Sequence, residues 1–265
     1  MGCVLPTQKK SPPHNMSIEL FHGDCLEVMK TMPDKSVDLF MCDLPYGCLD
    51  KKGKNEQVHH EMGRKASIKR GGIFAGDNGV CYGFTNPWDV VIPWEPFWKE
   101  VRRLRKNARS VVLFFCQGKF MADAICTNKD EFRLALVWDK VQLTNFFDAN
   151  RRPCYNHEQI LVFAEKSAFY NRVNYQGKCP TTIIRIEARQ LFSKNRYHPT
   201  EKPVELYKRL ISWYCPPGGT VLDPTAGSCN SIVAGGLLGM NAIGIERDDT
   251  FYQKGLEKIE ALTKD

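Results

Sequence analysis

Two short runs of residues in this chain combine side chains that could do chemistry. The first is Asp43-Leu44-Pro45-Tyr46, directly after residues 37–42, which form a predicted strand that is apolar except for Asp38. An amino group attached to an aromatic ring is a poor nucleophile, because its lone pair is delocalised into the ring. A carboxylate and a backbone carbonyl that accept its two hydrogens would localise that lone pair, and Tyr46 could stack on the ring. A turn in which Asp and Pro serve geometry alone is the alternative.

The second run is Asp223-Pro224-Thr225-Ala226-Gly227-Ser228-Cys229, which follows the predicted strand Thr220-Val221-Leu222. Its small residues would let the backbone approach a nucleotide-like cofactor. Glu246 lies 23 residues beyond Asp223, and an acidic residue at about this distance binds ribose hydroxyls in βαβ nucleotide sites. A surface carboxylate is the alternative. The run lacks the three-glycine pattern of NAD sites and the GxxxxGK[ST] pattern of nucleoside triphosphate sites.

The rest of the chain predicts a scaffold for these residues, because strand patterns alternate with helix patterns, as in a mostly parallel sheet. Asp24 is the predicted N-cap of the first helix, with Glu27 completing a capping box. We expect one α/β domain at residues 16–265 with insertions at 47–87 and 140–197, after a disordered lead-in at 1–15. Residues 145–156 are expected to be irregular and 165–200 loop-like. Strands are predicted at 18–21, 37–42, 110–116, 132–138, 160–163, 220–223 and 242–246, and helices at 25–32, 94–105, 119–127, 203–214, 228–239 and 250–262.

Both insertions are rich in basic residues and predict contact with nucleic acid. The stretch from Lys51 to Arg70 carries seven Lys or Arg residues against Glu56 and Glu61, and the chain has a formal net charge of +7. Lysine and arginine at phosphates supply affinity, while a few side chains at base edges supply sequence choice. A solvated surface loop is the alternative. The candidate DNA-binding residues are Lys65, Lys69, Arg70, Arg151, Arg152 and Arg196.

Composition argues against several other classes of protein. No run of 18 apolar residues appears, so a membrane span is not expected. The 11 cysteines form no CxxC pair, which favours buried free thiols over zinc or disulfides. His59-His60-Glu61 lacks the second histidine of a zincin helix, so no metal is expected. No signal segment is visible, and the predicted location is cytoplasmic, or nuclear if the source is eukaryotic.

Taken together in this order, the motifs resemble those of the β-group amino DNA methyltransferases, including phage-type members. The similarity runs from about residue 18 to residue 259. It implies a Rossmann-like fold with helices on both faces of one sheet, S-adenosyl-L-methionine as cofactor, double-stranded DNA as partner, and pairing as a homodimer, as in many members. The matching segments are Gly23-Asp24, Asp43–Tyr46, Asn86-Pro87-Trp88-Asp89, Asn156-His157-Glu158, His198–Pro203, Asp223–Gly227 and Glu246.

The resemblance also implies roles for these residues. Asp43, Leu44, Pro45 and Tyr46 would form the catalytic loop around a flipped base, and Asp43, in place of serine, favours adenine N6 over cytosine N4. Cofactor contacts would come from Asp24 at the adenine, from Glu246 at the ribose and from the segment with His198, Thr200 and Lys202 at the methionine end. The cofactor loop would supply Asp223, Thr225, Ala226 and Gly227.

Two departures from the family pattern are visible. Leu44 replaces the commoner proline, at a position where only the backbone carbonyl is used. Cys229-Asn230-Ser231 replaces a Gly-Thr-Thr-like stretch, and loss of that glycine could alter the path of the cofactor loop. Cytosine N4 in DNA and adenine in RNA stay open as targets, as does an inactive nucleic-acid-binding module with the same fold.

Overall fold

The computed structural model describes residues 17–46, 90–144, 149–150, 153–172, 180–188 and 201–264. These residues form an eight-stranded sheet in the order β1-β8-β7-β2-β3-β5-β4-β6. The strands are β1 Ile18–His22, β2 Leu39–Cys42, β3 Val111–Cys116, β4 Phe132–Thr144, β5 Tyr155–Phe163, β6 Ile183–Arg185, β7 Thr220–Asp223 and β8 Asn241–Glu246. The helices are α1 Cys25–Thr31, α2 Trp94–Leu104, α3 Lys119–Thr127, α4 Val204–Tyr214, α5 Asn230–Leu237 and α6 Asp249–Lys264, with a 3-10 turn at Lys129–Glu131.

The sheet is mostly parallel. β1, β8, β7, β2 and β3 pair in parallel, as do β4 and β6, and β5 runs antiparallel to β3 and β4. The carboxyl ends of the five adjacent parallel strands therefore meet at one edge of the sheet, which is where open α/β sheets bind ligands.

Helices cover both faces of the sheet, as the family resemblance implies. Alternate residues of a strand point to opposite faces, so Phe40 packs with Met29 of α1 and Trp98 of α2. Its neighbour Met41 belongs to the second cluster, with Leu210 of α4. All four residues of β2 are buried for this reason, and a strand buried on both faces reads as a continuous apolar run.

The predicted helices and strands are confirmed in place and type. Most ends differ from the prediction by at most two residues, two strands extend further, and one strand is not predicted. β4 continues to Thr144 rather than ending at residue 138, and β5 starts at Tyr155 rather than at residue 160. Each of these extensions pairs with the other, Thr144 opposite Tyr155. β6 lies in a stretch expected to be loop-like, and it pairs with β4. Residues 1–15 and 47–87 lie outside the described part of the chain.

The start of α1 brings Asp24 to the carboxyl edge. Asp24 Oδ1 accepts hydrogen bonds from the backbone N–H groups of Leu26 (2.9 Å) and Glu27 (3.4 Å), which confirms it as the N-cap. The reciprocal half of the predicted capping box is not formed, because Glu27 pairs with Lys30 at 2.7 Å. Among the described residues, no helix is long and apolar enough to cross a membrane.

Candidate active site

Four of the predicted site carboxylates meet at the carboxyl edge of the sheet. Asp24 follows β1, Asp43 follows β2, Asp223 ends β7 and Glu246 ends β8. The parallel register sets Phe40 opposite Leu222 and Asp223 opposite Gly244, so residues distant in sequence end at one level. The sheet order thus brings the two motifs together, although about 180 residues separate them.

Asp223 anchors the cofactor loop from inside the protein. Its side chain is 1% exposed and accepts hydrogen bonds from the hydroxyl of Ser231 and from the backbone N–H of Thr225, the latter at 3.0 Å. Burial raises the pKa of Asp223 to about 7, and the charges of Asp43 and Glu246 act in the same direction. The carboxyl group therefore holds the turn while resisting ionisation.

Glu246 braces the other side of this loop. One carboxylate oxygen accepts from the N–H of Gly227 at 2.7 Å, and the other accepts from the N–H of Asp248 at 2.8 Å. A carboxylate has about four acceptor positions, so each oxygen keeps a lone pair for a ligand hydroxyl. The loop lies close to β8 because Gly244 has no side chain, since a Cβ there would stand 3.1 Å from that of Ala226. These residues fit a ribose-bearing cofactor.

The cofactor loop makes its turn with Cys229 at the position where the family pattern has glycine. Cys229 has φ 57° and ψ 17°, in the left-handed region that favours glycine. Its buried sulfur lies against Gly255 of α6, where a Cβ would stand 2.6 Å from Sγ. The glycine on α6 therefore makes room for the side chain in the loop.

The catalytic-loop residues contact both the cofactor loop and α3. The backbone carbonyl of Asp43 accepts a hydrogen bond from Thr225 Oγ1 at 3.1 Å, and Tyr46 donates its hydroxyl to Asp43 Oδ1 at 3.4 Å. The ring of Tyr46 stacks on Phe120, with 4.6 Å between the centroids. Phe120 covers one face of the Tyr46 ring. Leu44 is buried.

Lys202 lies between two carboxylates. Its ammonium contacts Asp43 Oδ2, is 3.6 Å from Glu158 Oε2, and lies 4.7 Å from the ring centroid of Phe115. Glu158 is also paired with Lys140, at 2.5 Å. The family resemblance places Lys202 at the methionine end of the cofactor, whereas here its ammonium is paired with Asp43, as a buried charge must be.

The four charges set one another's ionisation. Burial raises the pKa of Asp43, with Lys202 opposing and Glu158 adding to the shift. Burial acts to raise the pKa of Glu158, but Lys202 and Lys140 outweigh it and lower that pKa. Burial acts to lower the pKa of Lys202, but Asp43 and Glu158 raise it. The ammonium therefore stays charged and favours the ionised form of Asp43.

The sequence does not predict the contacts of Glu158 with Lys202 and of Phe120 with Tyr46. The family resemblance includes Asn156-His157-Glu158 but assigns this segment no function. The one sequence signal for Glu158 is its position next to the predicted buried strand at residues 160–163. Phe120 reads as an ordinary core residue of an amphipathic helix. Several predicted site residues lie outside the described part of the chain, namely Lys65, Lys69, Arg70, Arg151, Arg152, Arg196, His198 and Thr200.

Comparison with known proteins identifies the family. The model of the N6/N4-type DNA methylases matches residues 37–257. DNA adenine methyltransferase YhdJ of Escherichia coli (strain K12) is 24% identical over 278 residues, covering 94% of this chain and 85% of that protein.

Two solved structures share the fold. The M1.HpyAVI–SAM complex has a TM-score of 0.62 at 19% identity, over 91% of this chain and 99% of its own. The cytosine-N4-specific PvuII DNA methyltransferase has a TM-score of 0.66 at 15% identity, over 96% of this chain and 94% of its own. The chain belongs to the N6/N4 DNA methylases, a family of S-adenosylmethionine-dependent DNA methyltransferases.

Proposed function

We propose that this protein transfers the methyl group of S-adenosylmethionine to the exocyclic N6 amino group of adenine in double-stranded DNA. The observation that carries the proposal is the contact between the two motifs: Thr225 of the cofactor loop donates a hydrogen bond to the backbone carbonyl of Asp43. This hydrogen bond would therefore connect the loop that binds the cofactor to the loop whose Asp43 activates the target amino group.

The cofactor loop supplies the binding side of the reaction. Glu246 would accept the ribose hydroxyls with the lone pairs left after its two backbone contacts, and Asp24 stands at the neighbouring strand end for the adenine of the cofactor. When bound, the cofactor supplies a methyl group on a sulfonium sulfur, which is an electrophile that needs no further activation.

The catalytic loop supplies the nucleophile side. A target base rotated out of the duplex would stack on the face of Tyr46 opposite Phe120 and present its amino group to Asp43. The carboxylate of Asp43 and the carbonyl of Leu44 accept the two hydrogens, which localises the nitrogen lone pair toward the methyl group. The nitrogen would become cationic as it takes the methyl group, while the sulfur keeps the electron pair of its broken bond to carbon. The ionised Asp43 would stabilise the charge on nitrogen and take up the proton released.

Adenine is the favoured target for two reasons. Asp43 stands where the resembling cytosine N4 enzymes more often carry serine, and the relative YhdJ is named a DNA adenine methyltransferase. Cytosine N4 is the second candidate, because the protein whose fold matches with a TM-score of 0.66 is cytosine-N4-specific.

The test is incubation of purified protein with mixed-sequence duplex DNA and methyl-labelled S-adenosylmethionine, followed by mass spectrometry of the nucleosides. Labelled N6-methyladenine is expected. Labelled N4-methylcytosine, or no labelled nucleoside, would overturn the adenine assignment or the activity respectively.

Asp43→Ala is expected to lower turnover by on the order of 100-fold or more, because the reacting nitrogen loses one preorganised acceptor. Cofactor affinity measured by calorimetry should change little. Asp38→Asn is the matched control, since Asp38 is a buried carboxylate just before the same strand, bonded to Thr220 and Lys106, and it should keep its turnover. Wild-type turnover in Asp43→Ala would remove this loop from the chemistry.

A further inference from the structure

A buried side-chain amide joins three segments behind the active site. Asn230, the first residue of α5, is 1% exposed. Its Nδ2 donates to Glu201 Oε1 at 2.8 Å and to the backbone carbonyl of Lys202 at 2.7 Å, while its Oδ1 accepts from Lys258 of α6. An ammonium can only donate, so this arrangement fixes which way the amide faces.

Lys258 extends the connection to the cofactor loop. Its ammonium donates to the carbonyl of Ser228 at 2.9 Å and lies 3.4 Å from Glu201 Oε1. The side-chain amide of Asn230 therefore links the segment that carries Lys202 to α6 and, through Lys258, to the loop before α5. A threonine, as in the family pattern at this position, offers a single hydroxyl donor and is too short to bond both acceptors in this way.

We propose that Asn230 is a positioning residue that holds Lys202 in place against Asp43. The inference rests on the proposed function and deepens it. Lys202 is held at two points: Asn230 donates a hydrogen bond to its backbone carbonyl, and Asp43 contacts its ammonium, with Glu158 Oε2 at 3.6 Å as a second ion-pair partner. Without the bond to Asn230, the backbone of Lys202 loses one of these anchors and the ammonium moves away from Asp43.

The pKa of Asp43 depends on how close the ammonium of Lys202 lies. The titratable groups around it are Lys202, Glu158, Asp223, Tyr46, Tyr207 and the thiols of Cys42 and Cys116. Lys202 is the cation among them, and it lowers the pKa of Asp43. Displacing the ammonium should therefore raise that pKa and slow methyl transfer at neutral pH.

The first experiment compares Asn230→Ala with Asn128→Ala. Asn128 is also a buried asparagine with charged partners, Glu131 at 3.0 Å and Arg102 at 3.4 Å, but it precedes β4 at the opposite edge of the sheet. Loss of positioning should lower the single-turnover rate of Asn230→Ala by about 10- to 100-fold, whereas Asn128→Ala keeps the parent rate. Equal rates in the two variants would overturn the proposal. Asn230→Thr replaces Asn230→Ala if the latter does not fold.

The second experiment asks whether Asn230 acts through Lys202. In a Lys202→Met background, Asn230→Ala should lower the rate by less than about 2-fold, because mutations that act through one group are not additive. A full additional loss in that background would show that Asn230 acts by another route and would overturn the proposal.

The third measurement needs neither cofactor nor turnover. The Asp43 carboxyl, assigned in a carbon-13 NMR titration by its absence in Asp43→Asn, should titrate at a higher pH in Asn230→Ala than in the parent. An unchanged titration would overturn the proposal even if the parent enzyme methylates DNA. A shifted titration in a parent that methylates nothing would keep the positioning role while removing the proposed function.

Discussion

Asp223 shows at the level of one residue how the site lowers the stability of the fold. Its pKa is about 7 in the folded protein, compared with an ordinary value of 3.8. Between these values the folded state binds a proton that the unfolded state has released, so stability falls as pH rises. At about 1.4 kcal/mol per unit, the free energy of unfolding should fall by about 4 kcal/mol between pH 4 and pH 8.

Asp223→Asn should remove this dependence, because an amide does not titrate. Urea unfolding of both proteins at pH 5 and pH 8 measures this dependence. The difference in free energy of unfolding, variant minus parent, should be about 3 kcal/mol larger at pH 8 than at pH 5. Parallel pH profiles for the two proteins would contradict the raised pKa of Asp223.

Lys202 should control the pH range in which Asp43 is ionised. Lys202 lowers the pKa of Asp43, so Lys202→Met should raise it and move the acidic limb of the single-turnover rate to higher pH. The rate at neutral pH should fall and partly recover in alkali. Lys208→Met removes the same charge from a half-exposed position on α4 and should leave the profile unchanged. A fall in rate that is uniform across pH would contradict this role.

The individual site residues differ in how far the sequence could predict them. Asp24, Asp43, Asp223 and Glu246 are predictable because each ends a predicted strand or follows one within three residues, and parallel strands end at one edge. The cluster of Lys202, Asp43 and Glu158 could not be predicted, because the three residues come from separate segments of the chain. A contact between three segments distant in sequence leaves no periodic signal along the chain.

At the level of elements, α6 and the cofactor loop are matched in shape. A Cβ on Gly255 would stand 2.6 Å from Cys229 Sγ and 2.8 Å from Leu20 Cδ2. Gly255→Ala should therefore lower the free energy of unfolding by about 1–3 kcal/mol through overpacking, despite the better helix propensity of alanine.

Adding Cys229→Gly to Gly255→Ala should recover much of this stability, because the sulfur is removed and glycine suits the left-handed backbone. Urea unfolding of the two single variants and the double variant measures the coupling. Additive effects would show that the two positions do not share the space between them.

Local pattern is sufficient to predict most of the elements, and the exceptions have a shared cause. β7 is predicted with its bounds, because Thr220, Val221 and Leu222 favour a strand and Asp223-Pro224 favours a turn. The exposed Ile183 and Arg185 of β6 alternate with Ile184 in a run of three residues, which is too short for a pattern to be recognised. β6 exists because it pairs with Val137–Asp139 of β4, a segment distant in sequence.

At the level of the whole molecule, the basic stretch from Lys51 to Arg70 should govern affinity for DNA. Neutralising Lys65, Lys69 and Arg70 together should weaken binding to all sequences about equally. It should also reduce the slope of log affinity against log salt by roughly one unit for each phosphate that the protein no longer neutralises. Turnover at saturating DNA should change little, because Asp43 and Tyr46 are untouched.

Neutralising Lys99, Lys129 and Lys166 is the matched control, since all three are exposed and the net charge falls by the same amount. Fluorescence anisotropy titrations at several salt concentrations compare the two triple variants with the parent. A slope equal to that of the parent in the first variant would exclude contact between these residues and phosphates.

The order of the strands also determines when the protein can fold during its synthesis. Among the described strands, the one neighbour of β1 is β8, and more than 200 residues lie between His22 and Asn241. At translation rates of roughly 5–20 residues per second, β1 waits on the order of 10 to 40 seconds for its partner. β2 likewise waits for β7. A nascent chain therefore carries β1 without its partner, and β2 paired on one side only with β3, until β7 and β8 have left the ribosome. Chaperones that shield unpaired strand edges would act on this protein before it can bind its cofactor.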